Sequence, residues 1–188
     1  ANRIARYDGA SWRTVLAASS HSFRAPCCGG CGAFLPLFPE LRALTRWRDP
    51  SDGRFKLVVG GWFALTPDDP SADGLALWDG LAWSRFPGTY YAGFIDALTT
   101  WTDPTTSREL LVGTWIAVPG SSGTYGIAQY DGVAWTQLGS TGPQNVIVFA
   151  SFQEPGVSFA ALFAGGPFGV QRWDGVSWTT TGSGTSTV

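Results

Sequence analysis

One six-residue pattern occurs four times in this 188-residue chain: Tyr7-Asp8-Gly9-x-x-Trp12, Trp78-Asp79-Gly80-x-x-Trp83, Tyr130-Asp131-Gly132-x-x-Trp135 and Trp173-Asp174-Gly175-x-x-Trp178. A tandem repeat narrows the fold more than any other feature, because each copy must be one supersecondary unit that buries its apolar side on its neighbours. Asp-Gly between alternating segments predicts a hairpin with a two-residue type I′ turn, both central residues at positive φ. Period-two counting then puts Ala128, Tyr130, Val133 and Trp135 on one face of the third hairpin, and that face is expected to be buried.

A second pattern precedes the hairpin three times: Trp47-Arg48-Asp49-Pro50, Trp101-Thr102-Asp103-Pro104 and Phe152-Gln153-Glu154-Pro155. An acid before proline starts a turn, and apolar runs follow at Leu57 to Phe63, Leu110 to Ile116 and Leu162 to Phe168. The unit is therefore four strands, a to d, with an acid-Pro turn between a and b and the Asp-Gly turn between c and d. From the first aromatic to a glycine in strand b (Gly60, Gly113, Gly165) the spacing is 13, 12 and 13 residues. From that glycine to the hairpin Asp it is 19, 18 and 9, and from the hairpin Asp to the next unit 39, 22 and 21. Two connections are thus regular and two vary, and the longest holds His21 and all three Cys.

Composition agrees with many short strands. The chain is 44% hydrophobic and 14% charged, enough for a packed domain and unlike a disordered or coiled-coil chain. Twenty-five Gly and 12 Pro interrupt it too often for long helices, while ten Trp and 12 Phe supply bulk for strands.

A repeated four-stranded antiparallel unit is the pattern of a β-propeller blade. The residues resemble kelch-like repeats, in which a strand ends in Gly-Gly and is followed by an aromatic and then a Trp: Gly60-Gly61 with Trp78 and Trp83, and Gly165-Gly166 with Trp173 and Trp178. The middle copy reads Gly113-Thr114, so its doublet is incomplete. The set is also similar to the Gly-Gly, Trp-Asp-Gly-x-x-Trp repeats of large secreted bacterial proteins. An Asp-box does not fit, since Asp and Gly are adjacent in all four copies. The resemblance implies an all-β propeller with a leading half-blade at 1–15, an irregular Cys-containing insertion at 16–42, blades at 43–86, 94–138 and 146–181, and a flexible tail at 182–188. Three blades and a half do not close a propeller, so the chain is expected to be a fragment of a larger repeat protein, with strands from 16–42 or a homo-oligomer as the other ways to complete it.

Charge excludes some partners. The net charge is −2, with no basic patch for a phosphate backbone, so nucleic acid is not expected. Residues 1–56 carry nine cationic against four acidic side chains and residues 57–188 three against ten, an asymmetry that favours head-to-tail contact between copies. No apolar run is long enough for a membrane helix. Three Cys within Cys27 to Cys31 leave the redox compartment open, and the resemblance to secreted repeat proteins implies an extracellular or cell-surface location.

Strands that alternate in direction put the a–b and c–d turns on one rim and the variable loops on the other. Specificity sits on loops carried by a rigid scaffold, so the variable rim is the expected binding face for a protein or glycan, with Trp62, Tyr90, Tyr91, Trp115 and Tyr125 as candidate contacts. His21, Cys27, Cys28 and Cys31 offer the four donors of a tetrahedral zinc site and are the candidate metal ligands. The adjacent Cys27 and Cys28, with no second Cys-x-x-Cys, favour a disulfide or free thiols instead, and no cofactor is expected. Asp8, Asp79, Asp131 and Asp174 are expected to bond turn backbone, leaving Asp68, Asp69, Asp73 and Asp96 as the carboxylates from which a glycosidase pair would be drawn. The expected function is a non-catalytic binding or assembly scaffold. A carbohydrate-binding or carbohydrate-active module and a self-assembling filament protein are the alternatives.

Overall fold

The computed structural model describes residues 4–15, 39–65, 74–87, 94–116, 118, 126–139 and 142–181. These form β-strands and, among the described residues, no helix. A leading hairpin pairs β1 (Ala5–Tyr7) with β2 (Trp12–Thr14). The first four-stranded sheet is β3 (Glu40–Arg48), β4 (Phe55–Trp62), β5 (Leu75–Trp78) and β6 (Trp83–Arg85). The second is β7 (Leu98–Thr102), β8 (Glu109–Ile116), β9 (Gly126–Tyr130) and β10 (Trp135–Gln137), and the third is β11 (Val148–Gln153), β12 (Ala160–Gly166), β13 (Gly169–Trp173) and β14 (Trp178–Thr180). Each sheet is an antiparallel meander in chain order, and none closes on itself. The all-β, repeated four-stranded organisation expected from the sequence is therefore present.

Sheets pack face to face, which is why the second strands read as unbroken apolar runs rather than alternating ones. Val59 turns toward the leading hairpin, where Ile4, Phe63 and Trp83 join it, while Val58 turns toward the second sheet, into a core with Trp47, Phe86, Tyr130 and Trp135. A third core holds Trp101, Ile127, Leu138, Leu162 and Trp173 between the second and third sheets. The first strand β7 neighbours both β3 and β11, and β6, β10 and β14 form the far edges.

The hairpin turns differ from expectation. Tyr130 pairs directly with Trp135, so the loop is four residues, and the same holds for Tyr7 with Trp12, Trp78 with Trp83 and, in the third sheet, Trp173 with Trp178. Only the glycines take positive φ, between 100° and 106°; the aspartates do not. The reason is the Asp side chain, whose Oδ1 accepts from the amides two and three residues on, at 2.8 and 2.9 Å for Asp131, and so supplies the turn with acceptors a type I′ bend would take from backbone. The wider loop also carries Val133 out of the hairpin face: it is 83% exposed, whereas Ala128, Tyr130 and Trp135 are buried as expected.

Pairing also revises the middle repeat. Gly60 lies opposite Ala43 and Gly165 opposite Val148, each four residues before the sheet's first aromatic. The equivalent partner of Ala97 is Thr114, not Gly113, which pairs with Leu98. The spacing from Trp101 to the equivalent position is therefore 13, as in the other two sheets. Thr114 is buried there, and its hydroxyl accepts from the amides of Asp96 and Ala97 at 3.1 and 3.2 Å.

Candidate functional site

The two acid-Pro turns of the first and second sheets share one geometry. The Asp49 amide donates to the Arg54 carbonyl at 2.9 Å and the Gly53 amide to the Asp49 carbonyl at 2.8 Å; Asp103 with Arg108, and Ser107 with Asp103, repeat both bonds at the same lengths. Proline presets φ for the second turn position, and each Asp accepts from the amide two residues on, Ser51 and Thr105, at 2.9 Å. The fifth position needs the left-handed region: Gly53 occupies it at φ 70° and Ser107 at 55°. In the third sheet Glu154-Pro155-Gly156 turns more tightly, with the Val157 amide on the Glu154 carbonyl at 3.1 Å.

These turns and the second sheet's hairpin loop enclose a cleft of about 750 Å³, reached by Arg48, Ser51, Arg108, Glu109, Asp131 and Val133. Its walls are fixed from both sheets. The Arg48 amide donates to Glu109 Oε1 at 3.0 Å, and the Arg48 guanidinium Nε donates to the Gly53 carbonyl at 3.1 Å. Pro50 lies so close to Gly132 that a Cβ there would sit 2.1 Å from its ring, so glycine is required by approach as well as by its φ of 101°.

The carboxylates of this rim are committed to holding turns. Asp49 is ion-paired with Lys56, which also reaches Asp52 at 3.2 Å. Burial alone would push the Asp49 carboxyl up, but the Lys56 ammonium and the Ser51 hydroxyl and amide hold it below the usual range, and Asp49 in turn holds Lys56 above its own. The amides of Ala134 and Val133 hold Asp131 low. Behind the cleft, the Tyr130 hydroxyl is pushed up by burial and by the charges of Asp49 and Asp131. Asp49 and Asp131, held in the ionised form, line the cleft beside Arg48 and Arg108, so it can bind a polar surface.

The cleft opens among the short turns of the first and second sheets. Of the residues expected on the variable rim, Trp62 is 5% exposed and stacks on Phe94 at 4.4 Å, so its indole is not open to a ligand in this conformation. Trp115 lies in β8, its side chain outside the described set, and Tyr90, Tyr91 and Tyr125 lie outside the described residues. So do His21, Cys27, Cys28 and Cys31; among the described residues no group of His, Cys, Asp and Glu could hold a metal ion. Asp96 is ion-paired with Arg42, which also binds Glu40 at 2.7 Å, and Asp68, Asp69 and Asp73 lie outside the described residues. No described helix is long and apolar enough to cross a membrane.

Sequence reasoning missed Arg48, Ser51, Arg108 and Glu109 as a group. The readable signal was cationic residues flanking both acid-Pro turns, Arg48 before one and Arg108 after the other. Comparison of the chain with family models, curated proteins and solved structures finds no match.

Proposed function

We propose that this chain is a non-catalytic, propeller-type repeat scaffold that binds a macromolecular partner at the cell surface or outside the cell. The observation that carries this reading is the commitment of the cleft's acidic side chains. Asp49 is spent on Lys56 and Ser51, Asp131 on the amides of Val133 and Ala134, and Glu109 on the Arg48 amide. A glycosidase needs one carboxyl held protonated by its surroundings, whereas Asp49 and Asp131 are both held in the ionised form. The contacts of β7 with both β3 and β11 support a radial order, since the first strand of each propeller blade lines the axis. The kelch-like pattern of the repeats supports the location and the binding role.

Two measurements test it. Small-angle scattering of the intact chain separates a wedge of sheets about an axis from a straight stack; an elongated rod overturns the propeller. Binding is screened on arrays of glycans and of extracellular proteins, with hydrolysis of oligosaccharides followed in parallel. The expected result is binding without turnover, lost with Arg108→Glu in the cleft and kept with Gln144→Glu outside it. Steady hydrolysis overturns the non-catalytic reading, and the reverse pattern of variants moves the binding face to the other rim.

A further inference from the structure

We propose that the joint between the first and second sheets has two arrangements, and that rocking between them sets the width of the cleft. The joint between the second and third sheets provides the comparison. There two indoles tie the sheets together: Trp101 Nε1 donates to the Ala160 carbonyl at 2.8 Å, and Trp178 Nε1 to the Leu138 carbonyl at 3.1 Å. The register gives both bonds an equivalent in the first joint. Glu109 precedes Leu110, the partner of Trp101, as Ala160 precedes Ala161, the partner of Phe152. Phe86 follows Trp83 by three residues, as Leu138 follows Trp135. The equivalent bonds would therefore run from Trp47 Nε1 to the Glu109 carbonyl and from Trp135 Nε1 to the Phe86 carbonyl.

Neither bond is made. Both indole nitrogens are buried without an acceptor among the described residues, in side chains 1% and 4% exposed. Buried donors are nearly always paired, so two unpaired in one joint, each with an acceptor position that the fold repeats elsewhere, show that something else holds these sheets.

What holds them lies at the turn rim. Glu109 stands where the third sheet has Ala160, and its carboxylate crosses to the Arg48 amide at 3.0 Å; alanine has no acceptor to send across. Pro50 rests on Gly132, where a Cβ would come within 2.1 Å of its ring, whereas a Cβ on the equivalent Gly175 would meet nothing within 4 Å. The first joint is thus fastened at its rim and the second in its core, so one chain displays both ways of joining the same two surfaces. Rocking the second sheet would seat the two indoles on their carbonyls and lift Gly132 from Pro50. Arg48, Pro50, Glu109 and Gly132 all line the cleft, so its width follows that motion. The exchange is close to even, two indole bonds against one bond to a charged acceptor and a close backbone contact, which is the condition for two populated packings. This inference concerns the joint alone and needs no partner in the cleft.

Nuclear magnetic resonance of the intact chain labelled with 15N in its tryptophans tests it. In the unaltered chain, relaxation dispersion on the microsecond-to-millisecond scale is expected at the Trp47 and Trp135 indoles and not at those of Trp101 and Trp178. Glu109→Ala, at an exposed position, copies Ala160 and removes the rim bond. The Trp47 and Trp135 indole protons should then both move downfield, and their hydrogen exchange should slow about two- to tenfold, the factor that one ordinary hydrogen bond gives. Glu109→Gln, which keeps an acceptor at the same reach, should leave both signals where they are in the unaltered chain. Dispersion that is absent or equal at all four indoles, or Trp47 and Trp135 signals unmoved by Glu109→Ala, overturns the proposal. So does a long-lived water contacting those two indole protons, since water would then be their standing partner.

Discussion

Trp47 and Phe152 occupy the same position in two sheets of the same design, yet one is buried among Phe86, Tyr130 and Trp135 and the other faces open space. The difference does not come from their own sheets, whose ladders have matching register. It comes from the neighbour. In this architecture a sheet supplies half a core, and the aromatic pair of the next hairpin supplies the rest. Tyr130 lies 5.7 Å from Trp47 and 5.0 Å from Phe86, ring centre to ring centre, distances at which aromatic pairs add about 0.5–1.5 kcal/mol beyond simple burial.

The largest test of this contrast is truncation. Trp47→Ala should destabilise by about 3–5 kcal/mol in urea unfolding of the monomer. Phe152→Ala, at the equivalent but uncovered place, should change stability by less than about 0.5 kcal/mol. Comparable losses at both positions would mean that the third sheet's face is covered.

Adding a methyl group reads the same contrast from the opposite side. A Cβ on Gly60 would sit 2.5 Å from Ile95 and 2.8 Å from Leu98, both packed in the interior core, and Gly60→Ala should cost about 1–3 kcal/mol. On Gly165 the close neighbour is the side chain of Val148, 2.9 Å away and 55% exposed, so it can rotate aside. Gly165→Ala should therefore cost less, measured as the shift in urea midpoint at constant slope.

The two interior cores are not equal either. Trp101 Nε1 donates to the Ala160 carbonyl of the next sheet at 2.8 Å, whereas the buried Trp47 Nε1 has no acceptor. Trp101→Phe should lose about 1 kcal/mol of hydrogen bonding in addition to the volume change, and Trp47→Phe only the volume change. Equal effects of the two substitutions in thermal unfolding would remove this distinction.

A smaller effect is read in acid. Asp79 and Asp131 are held below the usual carboxylate range by loop amides. Their folded-state values lie under the unfolded ones, so the stabilisation is complete above about pH 4 and is lost as pH falls through the lower folded values. Asp131→Asn should flatten the fall in urea midpoint below about pH 4, with little change in its slope near pH 7.

Much of this was legible because repetition separates pattern from accident. Four Asp-Gly motifs and three acid-Pro motifs marked both kinds of turn, and apolar runs such as Leu57-Val58-Val59 marked strands with two covered faces. The loop length was not legible from the dipeptide. Asp-Gly fits a two-residue bend equally well, and what decides is a side chain accepting two amides, which also moves Val133 into solvent. Thr114 was hidden because it takes a place held by glycine in the other two sheets. The cleft depends on how near the Pro50 turn comes to the Gly132 loop, a distance between separate sheets that no local spacing encodes. The exposure of Trp12 was hidden for the same reason, since it carries the same motif as Trp135 and yet is 72% exposed against 4%.

The meander order of the strands bears on how the chain reaches this state. Every ladder joins stretches consecutive in sequence, so each closes a short loop and can form soon after its strands are present, without waiting for a distant segment. Assembly is then expected to advance sheet by sheet, each finished meander serving as the template on which the next condenses.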